Sequence, residues 1–267
     1  MQYATLEGIA LKNQAGGRPI VYVHVNQPDQ YVMSYGIEFP EFMKGIPIQP
    51  PNLLLLRHKF EDSSFNLHTL IDYVDPEQME KLARDAVYGY GDFCWIDFED
   101  EESLNQLDGQ ELAELLYLGH FKDHLQLPFY RKLGNRYVYL AHDDGWFNKT
   151  YYRSLGDFKS MLGRILSLKA SDLKKEKSFF SRWKGKELPP IPPEAFSPFM
   201  RGMKEGLVFS LEKTVKNRLQ VEIPIWIIGD FYDMDEMVDE YEMLGKRPID
   251  GKLVYDRKSG LWEAQLQ

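Results

Sequence analysis

The stretch from Pro128 to Arg153 reads PFYRKLGNRYVYLAHDDGWFNKTYYR. Gly134-Asn135 and Asp144-Gly145 are two-residue signals suited to primed turns, whose backbone twist matches that of the strands they join. They separate runs rich in aromatic and β-branched residues, so the stretch predicts a three-stranded antiparallel meander. The turns also predict a register, because side chains alternate with period two and opposite residues share a face. One face then collects Phe129, Leu133, Val138, Leu140, His142, Phe147 and Tyr151. The other collects Tyr130, Lys132, Tyr137, Tyr139, Asp143, Trp146, Asn148 and Tyr152. The first set reads as core. The second is aromatic with polar tips, and such a surface either lies under a helix with its hydroxyls paired or meets a ligand or protein partner. On the second alternative Tyr130, Tyr137, Tyr139, Asp143, Trp146 and Asn148 are the binding candidates.

Working outward, Ser154 to Leu168 has the helical spacing of Leu155, Phe158, Met161, Leu162 and Ile165. Upstream, Asp108 with Glu111 three residues on forms a capping-box pattern, and Leu112, Leu115, Leu116, Leu118 and Phe121 supply that helix with an apolar stripe expected to be buried. Phe93 to Phe98 reads as a buried strand, and Asp75-Pro76 starts a helix expected to run to Val87. The conformation of Leu53 to Val74 stays open. Strand-like runs Tyr3 to Lys12, Pro19 to Val25 and Tyr31 to Phe39 suggest a second meander at the start. Downstream, Lys169 to Lys186 is basic and Leu188 to Pro193 is rich in proline, which lacks a backbone donor. Beyond them the pattern suggests a helix over about 198–217, a strand Val221 to Ile228, an acidic helix Met234 to Leu244 and a hairpin Lys252 to Leu266. The expected organisation is an α+β domain over 1–170 with the meander at its centre, a basic and proline-rich linker over 171–193, and a smaller α+β segment over 194–267 packed on the first. The fold class expected is α+β, with a mostly antiparallel sheet and packed helices.

Composition narrows the function classes. The 267 residues carry 43% apolar and 27% charged side chains, an ordinary globular mix. A formal charge of −9 repels a phosphate backbone, so nucleic acid is not an expected partner. The longest apolar runs, Leu53 to Leu56 and Pro224 to Ile228, are too short to cross a bilayer, and the first residues lack the pattern of a secretory signal, so a cytoplasmic location is expected. One cysteine, Cys94, allows no internal disulfide, and Phe93 and Trp95 beside it suggest a core thiol.

Motifs for chemistry are sparse. His142-Asp143-Asp144 could bind a metal or share a proton, but alternation sends His142 and Asp143 to opposite faces and Asp144-Gly145 suits a turn. His120 and His124 stand four apart on an expected helix, a spacing that can place two imidazoles on one metal, without the glutamate of the zinc-protease pattern. The acids from Asp97 to Glu114 and from Asp230 to Glu242 lack a calcium-loop pattern and read as solvated faces, or as a surface for a basic partner. No phosphate-binding loop or dinucleotide fingerprint occurs, so no cofactor is implied.

Four segments, Tyr90 to Phe98, Leu115 to His120, Asn135 to Asn148 and Glu222 to Trp226, resemble those of an uncharacterised family of Gram-positive bacterial proteins, some labelled oxalate:formate antiporter. The resemblance implies a soluble bacterial protein and carries no activity or site residues. A many-helix transporter cannot be built from a chain with no spanning segment. The expectation is a non-catalytic interaction or regulatory protein that holds another protein, with 16 tyrosines and 5 tryptophans and no complete catalytic set. The alternative is a divalent-metal-dependent hydrolase using His120, His124 and carboxylates from Asp97 to Asp100.

Overall fold

Hairpin turns and pairing strands set the architecture. The computed structural model describes residues 19–56, 71–82, 94–142, 147–173 and 187–267. Their strands are β1 (Ile20–Asn26), β2 (Tyr31–Tyr35), β3 (Asn52–Leu56), β4 (Ile71–Val74), β5 (Cys94–Phe98), β6 (Tyr137–His142), β7 (Phe147–Tyr152), β8 (Leu207–Ser210), β9 (Val215–Lys216), β10 (Gln220–Ile227), β11 (Gly251–Asp256) and β12 (Leu261–Leu266). All join one open antiparallel sheet in the order β12-β11-β10-β8-β1-β2-β7-β6-β5-β3-β4, with β9 on β10. The helices are α1 (Phe39–Gly45), α2 (Pro76–Leu82), α3 (Glu101–Asn105), α4 (Gly109–Phe121), α5 (Leu155–Asp172), α6 (Met200–Glu205) and α7 (Met234–Met243), with a 3-10 turn over Pro193–Phe199. The α+β class with antiparallel pairing is therefore what the chain adopts.

The hairpin register follows the turn chemistry. Tyr137 faces Tyr152 and His142 faces Phe147, the pairing a two-residue connection at Asp144-Gly145 requires. The third meander strand does not form. Residues 128–134 make a turn instead, because the fully buried Asn135 side chain accepts from Tyr130 N (2.8 Å) and donates to Pro128 O (2.9 Å), closing the loop on itself. β6 pairs instead with β5, through Cys94 and Leu140, and β7 pairs with β2.

Both faces of the sheet are packed. On the first, Val21, Val23, Leu53, Leu55, Trp95, Tyr137, Tyr139 and Tyr152 meet α1, α2, α5, the 3-10 turn and α6. On the second, Tyr22, Leu54, Cys94, Ile96, Val138, Leu140 and Tyr151 meet α4 and α7. Every strand at the centre thus buries both sets of alternating side chains, which explains runs such as Leu53 to Leu56 with no polar alternation.

Other expectations are corrected. The run after Tyr31 stops at Tyr35, and α1 begins where Glu38 N donates to Glu41 (2.9 Å), with Pro40 in the first turn. The helix expected over 198–217 ends at Glu205, because Gly206 takes φ +89°, where a side chain would run into Gly229 O. Leu207 to Ser210 then enter the sheet between β1 and β10, so residues of the expected C-terminal segment pair directly with the first strand. The described part of the expected linker is packed. Ile191 is buried and donates its N–H to Gly163 O (3.2 Å), Trp262 Nε1 donates to Pro189 O (2.8 Å), and Leu188 N donates to Ser171 Oγ (3.0 Å). Residues 174–186, most of the basic stretch, lie outside the described residues.

Candidate functional site

The tyrosine-rich face proposed for binding is a core layer. Tyr137 and Tyr139 are buried to 0% and 1% exposure, so as folded they offer no surface to a partner. Phe42 of α1 seats its ring 5.0 Å from Tyr139 and 6.2 Å from Tyr137, and Trp95 stacks on Tyr139 at 5.6 Å and 9°. Asn148 is buried and satisfied, accepting from Ser34 Oγ (3.0 Å) and Thr150 Oγ1 (2.9 Å) while donating to Ile37 O (3.3 Å). Tyr130 sits in the other core, because its segment turns rather than pairs. Asp143 and Trp146 lie outside the described residues, as does Asp144.

The metal candidates are not brought together. α4 ends at Phe121 and Lys122 turns left-handed at φ +52°, so His120 and His124 lose the helical spacing that would align them. His124 instead stands edge-on to Tyr151, with ring centres 5.3 Å apart on the second face. Asp97 alternates to the first face beside Trp95 and accepts from Arg136 N (3.0 Å) and Tyr137 N (2.7 Å), which fixes the start of β6. Burial pushes its carboxyl up to about 6 against the pull of those N–H groups. Among the described residues no three His, Cys, Asp or Glu side chains are placed to share a metal. Burial also pushes the Cys94 thiol up, away from thiolate chemistry.

Among the described residues, one helix, α4, exposes several apolar side chains. Asp108 caps the helix by accepting from Gln110 N (3.0 Å) and Glu111 N (2.9 Å), and Glu111 reaches back to Asp108 N (2.9 Å). This start fixes the helix rotation. Leu115 and Leu118 are buried as expected, but Leu112, Leu116 and Phe121 are exposed at 40%, 36% and 62%. The carboxylates point the other way. Glu114 is buried and accepts from Gln110 Nε2 (3.1 Å) and Gln126 Nε2 (2.5 Å), while Glu111 pairs with Lys132 at 2.7 Å. The outward face of α4 therefore carries Leu112, Ala113, Leu116, His120 and Phe121, with Tyr117 half-buried among them and no charged residue; Leu125 and Leu127 past the helix end are exposed as well. Tyr117 and Phe121 rings lie 4.8 Å apart along it. The exposed acids Asp108 and Asp123 flank the helix in sequence, at its N-cap and just past its end. Soluble proteins scatter single exposed apolar residues, but a contiguous strip of them marks an interaction surface.

No family model, curated protein or solved structure matches the chain. Among the described residues no helix is long and apolar enough to cross a membrane.

Proposed function

We propose that this is a non-catalytic interaction protein that holds a segment of a partner protein on the outward face of α4. One observation carries the reading: α4 buries Leu115 and Leu118 against the sheet and turns Glu114 inward, yet leaves Leu112, Leu116 and Phe121 exposed on its other side, where a helix that only covers a core carries charged residues. The acids Asp108 and Asp123 at the two ends of α4, within a chain of net charge −9, favour a partner with an apolar stripe and basic flanks, such as an amphipathic helix. A second copy of the chain would bring like charges together at the rim, so it is the disfavoured occupant.

The test uses a synthetic amphipathic helical peptide with a leucine stripe and lysine flanks, titrated into the full chain by fluorescence anisotropy. Expected is saturable, salt-weakened binding that falls at least about tenfold in Leu116→Ser and in Phe121→Ser while the melting temperature is kept. Absence of binding, or equal binding by the variants, counts against the reading. Concentration-dependent dimerisation that the same substitutions abolish would give the face to a second copy and overturn the basic-partner assignment.

A further inference from the structure

The sheet ends on one side at an open strand. β12 is the last in the strand order and pairs with β11 over its whole length, from Leu261 opposite Asp256 to Leu266 opposite Gly251. Gln267 N continues that ladder by donating to Asp250 O (3.1 Å), and along an antiparallel pair the bonded positions alternate with unbonded ones. Leu261, Glu263 and Gln265 therefore turn their N–H and C=O groups toward β11, and Trp262, Ala264 and Leu266 turn theirs away from it. Among the described residues none of those outward backbone groups has a hydrogen-bond partner.

Native proteins guard such an edge with proline, lysine or a bulge, or keep it very short. β12 has none of these guards: Leu261–Leu266 reads LWEAQL and pairs residue for residue without interruption. It also leaves apolar surface on its core side. Trp262 and Ala264 pack on the first face, alternation puts Leu266 on that face with them, and Leu266 is 62% exposed. On the opposite face Glu263 and Gln265 are exposed, and Glu263 is the only charged residue of the strand.

We propose that β12 pairs antiparallel with β12 of a second copy of this chain, so that one sheet runs through both. The edge is self-complementary in the register this requires. A two-fold axis normal to the sheet continues each face across the junction. Centred on Ala264, it sets Trp262 against the other copy's Leu266, Ala264 against Ala264, and Glu263 against Gln265. The outward groups of Trp262, Ala264 and Leu266 then exchange hydrogen bonds pair by pair, Leu266 gains an apolar neighbour, and each carboxylate meets an amide. A register centred on Glu263 would oppose two carboxylates. The charge of the chain does not resist the contact, because residues 251–267 hold Lys252, Arg257 and Lys258 against Asp256 and Glu263, and the excess of acids lies elsewhere. This contact is separate from the α4 face and does not depend on what that face binds.

Sedimentation equilibrium of the full chain, up to about 0.5 mM, tests this. Expected is a reversible monomer–dimer equilibrium. Ala264→Pro removes an outward N–H that β11 does not use, so it should weaken the dimer at least about tenfold while the melting temperature is kept. Gln265→Glu sets a second carboxylate opposite Glu263 twice in the symmetric contact, while within its own chain it stands opposite Lys252, and should weaken the dimer about three- to tenfold. Adding Glu263→Gln to it restores the carboxylate–amide pairs in exchanged positions at the net charge of the wild type, and should return the affinity to within about twofold. This exchange, at two exposed positions, tests the register independently of the proline variant. Leu116→Ser on α4 should leave the dimer unchanged. A chain that stays monomeric at about 0.5 mM, a dimer that Ala264→Pro leaves intact, a double variant no tighter than Gln265→Glu alone, or a dimer lost in Leu116→Ser would each overturn the proposal.

Discussion

The two faces of the sheet come from the same alternating strands and meet different surroundings. On the first face, rings from distant segments close over one another: Phe42 touches Trp95, Tyr137, Tyr139 and Tyr152. On the second face, α4 and α7 cover the flanking strands, while β2 and β7 carry the half-buried Lys149 against the buried Tyr31 ring. A tyrosine-rich strand face is therefore neither core nor binding surface by composition. The helix laid across it decides.

The largest expected effect lies on the first face. Phe42→Ala removes a wholly buried ring that four aromatic neighbours rest on, and should cost on the order of 3 to 5 kcal/mol in urea denaturation. A loss below about 1 kcal/mol would mean that this layer is not packed as described.

Next comes pH. Asp97 has its folded-state pKa raised to about 6 from an ordinary 3.8, so the native state binds this proton more tightly than the unfolded chain does. Its contribution to stability is complete below the unfolded value and is lost as pH rises through the folded one. The difference between about pH 4 and about pH 7 is on the order of 3 kcal/mol at most. Denaturation of the wild type and Asp97→Asn across that window checks it: the variant should lack this component, and an identical pH dependence in both would refute the assignment.

A smaller effect tests how the proline-rich segment is held. Gly→Ala inside a helix ordinarily stabilises by about 1 kcal/mol. At Gly163 of α5 an added Cβ would lie 2.1 Å from Ile191 O, so Gly163→Ala should reverse that sign and destabilise by about 1 to 3 kcal/mol. Limited proteolysis should then speed up at Leu188 to Pro193 relative to wild type. A stabilised variant would detach that segment from the core.

What the sequence made legible was local. Asp144-Gly145 predicts the β6–β7 register, and Asp108 with Glu111 predicts the start of α4, because each rests on bonds spanning a few residues. Which face of the meander is sealed depends on Phe42, about a hundred positions from Tyr139 in the chain, and no periodicity in either segment carries that. The α4 stripe was too wide to orient: Leu112, Leu115, Leu116, Leu118 and Phe121 wrap most of the helix, and only the inward pairing of Glu111 and Glu114 selects the buried side. Leu207 to Ser210 were assigned to a helix because Gly206, the residue that stops it, carries no mark of its positive φ in sequence.

The most direct test sets one aromatic residue from the sealed face against one from the open strip, Tyr139→Ala and Phe121→Ala, by urea denaturation under the same conditions. Tyr139 is 1% exposed and Phe121 62% exposed. The account predicts a loss of about 3 to 5 kcal/mol for Tyr139→Ala and a change within about 0.5 kcal/mol for Phe121→Ala. If Phe121→Ala destabilises the chain as much as Tyr139→Ala does, the outward face of α4 is part of the fold and not a surface for a partner.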